Sequence, residues 1–217
     1  MTKEAGIQFA DPDKPQGRVA PSSLHEGRIQ AVVDALVRCG ARRVADLGCG
    51  PGPLFERLIR EDRFDVLTGV ELRLGDLETL KARVAPVETR AALRFIHGSF
   101  LDPALDLGGH DAIVMLETLE HIEPDALSQV ERAFFVLRQP RTVIITTPNA
   151  DYNPVLGLKP GRKRHWDHRF EWGRERFRHW ANGVAGRNGC AVRFDDVGPC
   201  ASGLGAPTQM AIFERRP

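Results

Sequence analysis

Residues 43–54 read "RVADLGCGPGPL", and the class of fold hangs on them. The first five are a short buried strand by composition, and the chain then enters a loop with glycine at positions 48, 50 and 52. Glycines accept positive φ and let backbone N–H groups approach a ligand closely. A strand running into three of them predicts a strand–loop–helix junction built for binding. A tight turn with no ligand is the plainer alternative, but three alternate glycines are more than such a turn needs.

Working outward, "SSLHEGRIQAVVDALVRCG" (22–40) carries Leu24, Ile29, Val32, Val33, Leu36 and Val37 at helical spacing. Ser22 or Ser23 is expected to cap it and Gly40 to stop it. Downstream, helical "FERLIRED" precedes the strand "VLTGV" (66–70), and helical "DLETLKARVA" precedes the strand "LRFIHG" (93–98). "DAIVML" (111–116) reads as a fourth strand, "PDALSQVERAFFVLR" as a helix opened by Pro124, and "RTVIITT" (141–147) as a fifth strand. A long basic loop, "PNADYNPVLGLKPGRKRHWDH", follows. Then come helical "GRERFRHWANGVAGRNG" and two closing strands, "AVRFDDVG" and "QMAIFERR". Alternating strands and helices predict a parallel sheet covered on both faces. The fold class is α/β: a doubly wound, Rossmann-like seven-stranded sheet, mostly parallel with an antiparallel edge hairpin. Ligands are expected at the carboxyl ends of the strands. Residues 1–21 are expected to form an irregular arm, and 22–217 a single domain.

Composition narrows the class of partner. The net charge of +1 excludes a global field for nucleic acid or membrane, so any basic surface must be local. No apolar run is long enough for a bilayer and no secretory start is present, so no membrane partner and a cytoplasmic location are expected. Cys39, Cys49, Cys190 and Cys200 form no CxxC pair, which suits reduced thiols in a cytosol.

The residues around the glycines specify the ligand. The nicotinamide pattern GxGxxG fails because position 53 is Pro53, and the acidic Asp46 ahead of the glycines would repel a pyrophosphate. Asp46 is instead placed to receive a cation, such as the amino-acid ammonium of S-adenosylmethionine. Glu71, closing the second strand about 20 residues on, fits a ribose-hydroxyl acceptor. The segment "HGSF" would then wall the adenine, with Ser99 near its polar edge, and Leu72 and Phe100 are further expected cofactor contacts. Asp46, Gly48, Cys49, Gly50, Gly52 and Glu71 together resemble the class I S-adenosylmethionine-dependent methyltransferases.

The acceptor is suggested by "ETLEH", Glu117–His121, just after the fourth strand. On a helix, positions 117, 120 and 121 are spaced i, i+3 and i+4 and share one face. That face is either ordinary solvated surface or most of a metal site. Its place at the carboxyl edge of a buried strand favours the site. The basic loop adds His165 and His168, and such a mixed oxygen and nitrogen set suits Mn²⁺, Fe²⁺ or Mg²⁺ more than it resembles a thiolate-rich zinc site.

The segments "ETLEHIEPD", "RTVIITTPNADYN" and "RHWDHRFEWGRERF" carry a more specific resemblance. From about Ser22 to "APTQMAIFERR" the chain resembles the small-RNA 3′-terminal ribose 2′-O-methyltransferases of the Hua-enhancer type. The resemblance implies a divalent metal, Mn²⁺ or Mg²⁺, held by Glu117, Glu120, His121 and His168, with His165 just outside or touching RNA. It implies methyl transfer from S-adenosylmethionine to the terminal 2′-hydroxyl, RNA with a free 3′-terminal ribose as substrate, and a setting of RNA repair or small-RNA processing. The adjacent 2′- and 3′-hydroxyls of such an end can both ligate one cation, which would explain a demand for a free 3′ end. Two departures stand out: Gly173 follows "FEW" where the family usually has a capping Thr, and "FLDPALDL" replaces a longer aromatic-containing stretch. Bacterial members often carry a separate amino-terminal domain, so this chain is expected to be a standalone enzyme or a catalytic domain.

RNA affinity is expected from 159–178, where 8 basic residues face 3 acidic ones. Arg162, Lys163, Arg164, His165 and Arg169 are the expected contacts, and Trp166 or Trp172 could stack on a terminal base. Core packing is the stronger reading for Trp172 and Trp180. Two readings compete: a catechol-type small-molecule O-methyltransferase, which assays on RNA against catechols would separate, and a non-catalytic RNA-binding domain, which a cofactor titration would separate.

Overall fold

The protein is described by a computed structural model covering residues 21–216. Apart from Pro21, the expected arm at 1–21 lies outside the described residues. In chain order the elements are α1 (Pro21–Arg38), β1 (Arg43–Leu47), α2 (Pro53–Leu58), β2 (Val66–Glu71), α3 (Leu74–Val84) and β3 (Ala92–His97). They continue with β4 (Ala112–Leu116), α4 (Leu127–Glu131), β5 (Thr142–Pro148), α5 (Arg174–Arg187), β6 (Cys190–Val197) and β7 (Thr208–Arg215). The seven strands form one sheet in the order β3-β2-β1-β4-β5-β7-β6. β1 to β5 run parallel, and β7 is antiparallel to both β5 and β6. The expected sheet and its antiparallel hairpin are thus present, with β6 forming the outer edge.

The sequence explains the layers. β5, "TVIITTP", is buried at every position, as a central strand covered on both faces must be. One face packs α1, α2 and α3 through residues such as Leu36, Phe55 and Leu80. The other packs the 127–138 helical segment through Phe134 and α5 through Phe177. Each fully buried aromatic of this kind contributes about 1.5–3 kcal/mol relative to exposure. Among the described residues all four cysteines are free thiols, and no helix is long and apolar enough to cross a membrane.

Several local expectations change. Ser22 and Ser23 fall inside α1, which already includes Pro21, so neither stands at an N-cap. α2 stops at Leu58 rather than running through Asp62, because Glu61 N–H bonds the Leu58 carbonyl in a tighter turn. The helix from Pro124 begins as a 3-10 turn, becomes α4 and widens into a π-helix at Arg132–Arg138. The strand order reverses between β1 and β4, which opens the crevice at their carboxyl ends. The glycine loop and ETLEH both leave the sheet there.

Candidate active site

The glycine loop hangs from β2. Gly48 and Cys49 donate their N–H groups to the Val70 carbonyl at 2.9 and 3.2 Å, and Gly50 N–H reaches Glu71 Oε2 at 2.9 Å. Gly48 has φ +73°, and a Cβ there would stand 2.5 Å from Thr118 Cγ2. Only glycine fits, and the same contact seats the ETLEH segment against the loop. Asp46 is 3% exposed at the end of β1; burial, reinforced by the negative charge of Glu71, pushes its carboxyl up to about 7. Glu71 is fixed from both sides, since its Oε1 accepts the Arg73 N–H at 2.9 Å. Next to it Leu72 is 67% exposed, an apolar surface at the mouth of the crevice. Ser99 accepts the Leu101 N–H, and Phe100 packs on Phe134 with ring centroids 6.0 Å apart.

ETLEH is not the expected α-helix. Glu117 takes φ +49°, and only Leu119–His121 form a 3-10 turn. The Glu117 N–H bonds the Thr146 carbonyl and hydroxyl at 3.2 and 3.0 Å, so contact with β5 sets this turn, not helical propensity. The basic loop joins it through the backbone: Arg169 N–H donates to the Glu120 carbonyl at 2.7 Å. This pairing brings His168 beside Glu120.

Glu120, His121 and His168 converge, with one potential ligand atom from each lying within 4.8 Å of the others. Glu120 is fully buried; Thr147 donates to its Oε2 at 2.9 Å while its Oε1 has no hydrogen-bond partner. His168 Nε2 lies 4.0 Å from that Oε1. The gap is too long for a hydrogen bond and close to the span of two ligands each ~2.1 Å from one cation. Both histidines meet a carboxylate through Nδ1, His121 with Asp167 at 3.2 Å and His168 with Glu171 at 2.5 Å. Burial, added to by Glu117, drives the Glu120 carboxyl well above its ordinary range, and burial likewise raises Glu117. Burial also lowers His121, helped by His168. Two crowded buried carboxylates, of which Glu120 has no lysine or arginine paired with it among the described residues, beside two imidazoles able to coordinate, fit a divalent cation.

Glu117 stands apart from the three. Its Oε2 pairs with Arg28 Nε at 3.3 Å, and its buried Oε1 has no hydrogen-bond partner. His165 is exposed; its Nδ1 accepts the Asp167 N–H, and its ring centroid lies 5.6 Å from that of His168.

The expected RNA contacts divide. Arg162 and Lys163 are exposed, although Lys163 Nζ also donates to the His168 carbonyl. Arg169 is exposed and pairs with Glu123 at 3.0 Å. Arg164 turns inward, and its guanidinium donates to Asn153 Oδ1, the Pro207 carbonyl and the Asn149 carbonyl at 2.7, 2.8 and 2.6 Å. It is an anchor of the loop and offers nothing to a phosphate. Trp166 is 84% exposed, whereas Trp172 is buried and stacks on Phe170 at 4.3 Å. Arg28, Asp167 and Glu171 were not singled out by the sequence. The last two sit inside the "DHRFEW" motif, where their spacing to the histidines was visible; Arg28 is on α1 and no motif marks it.

A profile described as "Methyltransferase domain" matches residues 12–186. The structure of the methyltransferase domain of bacterial CtHen1 is 35% identical, covering 89% of this chain and 100% of that one with a TM-score of 0.80. The chain belongs to the Hen1-type small RNA 2′-O-methyltransferase family. Its fold is that of the family's class I S-adenosylmethionine-dependent domain. The small RNA methyltransferase HEN1 structure matches 94% of this chain at 27% identity and a TM-score of 0.82, with 28% of its own chain covered. The Small RNA 2′-O-methyltransferase of Rattus norvegicus is 32% identical over 203 residues, 88% of this chain and 51% of the relative. The chain thus spans about half the length of the curated relatives it matches.

Proposed function

We propose that this domain transfers the methyl group of S-adenosylmethionine to the 2′-hydroxyl of a 3′-terminal RNA ribose, at a site that holds a divalent cation, Mn²⁺ or Mg²⁺. The observation that carries the reading is the convergence of Glu120, His121 and His168 around a partnerless buried carboxylate oxygen, on a turn whose Thr118 packs against Gly48 of the glycine loop. Family membership supplies the reaction class, and the relatives' names supply small RNA as the substrate.

Asp46 receives the cofactor's ammonium and Glu71 its ribose hydroxyls, while Leu72 bounds the adenine. The loop's N–H groups at 48, 49 and 50 are already bonded to β2 residues, so they shape the cradle and do not solvate the ligand. Glu120, His121 and His168 hold the cation, with Glu117 joining once it leaves Arg28. When bound, the cation lowers the pKa of a coordinated hydroxyl and fixes its direction. The protein positions the hydroxyl for in-line attack on the sulfonium methyl. Exposed Arg162, Lys163 and Arg169 meet phosphates, and exposed Trp166 offers a stacking face for a terminal base. That basic, aromatic rim favours RNA over a catechol-type acceptor.

Labelled methyl transfer to two RNAs differing only at the 3′ end tests this reading. Transfer to the hydroxyl end and none to the 3′-phosphate end is expected; equal transfer to both would overturn it.

A further inference from the structure

Glu171 belongs to the motif around His168 yet has no role in the chemistry above. Its side chain is 2% exposed. Its Oε1 accepts the Arg164 N–H at 2.6 Å and meets His168 Nδ1 at 2.5 Å. Its Oε2 accepts from Asn153 Nδ2 at 2.7 Å. Asn153 is itself held, because its Oδ1 accepts from Arg164 Nε, and Arg164 is tied to the Asn149 and Pro207 carbonyls. The carboxylate therefore cannot rotate without breaking a chain of bonds that reaches the ends of β5 and β7.

An ionised carboxylate only accepts, so the hydrogen shared with His168 belongs to Nδ1. A neutral imidazole with hydrogen on Nδ1 has its lone pair on Nε2, the atom facing Glu120 across 4.0 Å. We infer that Glu171, locked by Asn153 and Arg164, is a positioning residue that sets the His168 tautomer and aims Nε2 at the cation site. The inference rests on the cation reading above. It assigns Arg164 a task inside the fold: the one basic residue of "GRKR" that turns inward braces the carboxylate behind a ligand.

Two measurements on the full chain test it: Mn²⁺ titration by calorimetry, and ¹⁵N–¹H spectra of the imidazoles without metal. In the unaltered protein His168 is expected to show the Nδ1–H tautomer. Glu171→Ala should lose that signature and bind Mn²⁺ about 10–100-fold more weakly, while affinity for S-adenosylhomocysteine holds. Glu171→Gln keeps an acceptor for Nδ1–H but loses the charge and sets an amide against Asn153 Nδ2. It should keep the tautomer and bind Mn²⁺ several-fold more weakly, and it carries the test if the alanine variant does not fold. Unchanged tautomer and Mn²⁺ affinity in Glu171→Ala, or unaltered affinity in Glu171→Gln, would overturn the inference. If the unaltered protein takes up no Mn²⁺, the cation reading fails separately. The spectra then decide: loss of the Nδ1–H signal in Glu171→Ala upholds the positioning role, and its persistence refutes it.

Discussion

Arg28 Nε stands 3.3 Å from Glu117 Oε2, linking α1 to the turn that follows β4. The same Nε donates to Thr208 Oγ1 at 2.9 Å, so a cation from a distant helix is held against the carboxylate edge of the site. Both side chains are less than one-fifth exposed, at 18% and 16%. Removing one partner of so buried a pair leaves an uncompensated charge, at a cost of about 3 kcal/mol. Arg28→Ala should therefore lower the denaturation midpoint in chelator, and Mn²⁺ should restore more stability to the variant than to the unaltered protein. Matching midpoints for the two proteins in chelator would refute this role for Arg28.

Cofactor affinity should depend on pH through Asp46. Its carboxyl is pushed up to about 7 by burial and by Glu71, so below that pH the free protein carries it protonated. An ammonium is received only by the ionised form. Binding therefore displaces a proton, and affinity should fall about tenfold per unit well below pH 7 and level off above it. Calorimetry with S-adenosylhomocysteine from pH 5.5 to 8 reads the slope. Asp46→Asn should bind weakly and without that dependence; a flat profile in the unaltered protein would remove Asp46 from the ammonium site.

Gly173 stands at the N-cap of α5, where the resemblance leads one to expect a capping threonine, and a neighbouring carboxylate fills that place. The Asp151 carboxylate accepts the Arg174 N–H at 2.9 Å, capping α5 from the neighbouring turn, and a Cβ on Gly173 would collide with it. Gly173→Thr alone should destabilise by about 1–3 kcal/mol through overpacking. Asp151→Ala alone should cost about 1 kcal/mol as a lost cap. The pair together should cost less than the sum, because the new threonine then caps its own helix. Urea unfolding of the four proteins would show additive losses if the two positions are independent.

RNA binding should be salt-dependent through the outward residues alone. Arg162→Ala with Lys163→Ala should flatten the slope of log affinity against log salt by about 1.4, near 0.7 for each single-strand phosphate contact. Trp166→Ala should weaken binding by about 1–3 kcal/mol if it stacks on a base. Arg164→Ala should leave the slope unchanged and lower stability, because its guanidinium is spent on carbonyls inside the fold. A slope change in Arg164→Ala would return it to the RNA surface.

Strand composition carried the sheet well. Near-continuous apolar runs such as "AIVML" and "TVIITT" exist because parallel strands are buried on both faces, and that demand is written into the residues themselves. The site was legible in its residue types but not in its backbone. The spacing of Glu117, Glu120 and His121 fits a helix face, yet Glu117 adopts φ +49° because Thr146 captures its N–H from the adjacent strand. A contact between residues 29 apart has no local signature. Arg164 misled for the same reason: its basic neighbours point outward, and only the folded positions of Asn149, Asn153 and Pro207 turn it in. Glu171 and Asp167 were visible as letters beside the histidines, but which ring nitrogen each would meet is a matter of three-dimensional approach.

The cation is the centre of the account. Glu120 Oε1 is buried with no partner, beside two histidines whose Nδ1 atoms are already engaged. The most direct measurement is methyl transfer to an RNA with a free 3′-terminal ribose, in chelator and then with Mn²⁺ or Mg²⁺ restored, for the unaltered protein and for Glu120→Ala. The unaltered protein should be inactive in chelator and recover with metal, and Glu120→Ala should fall by orders of magnitude in metal while still binding S-adenosylhomocysteine. Full transfer in chelator, or an active Glu120→Ala, would contradict the account and leave the ETLEH turn as buried charge with no catalytic task.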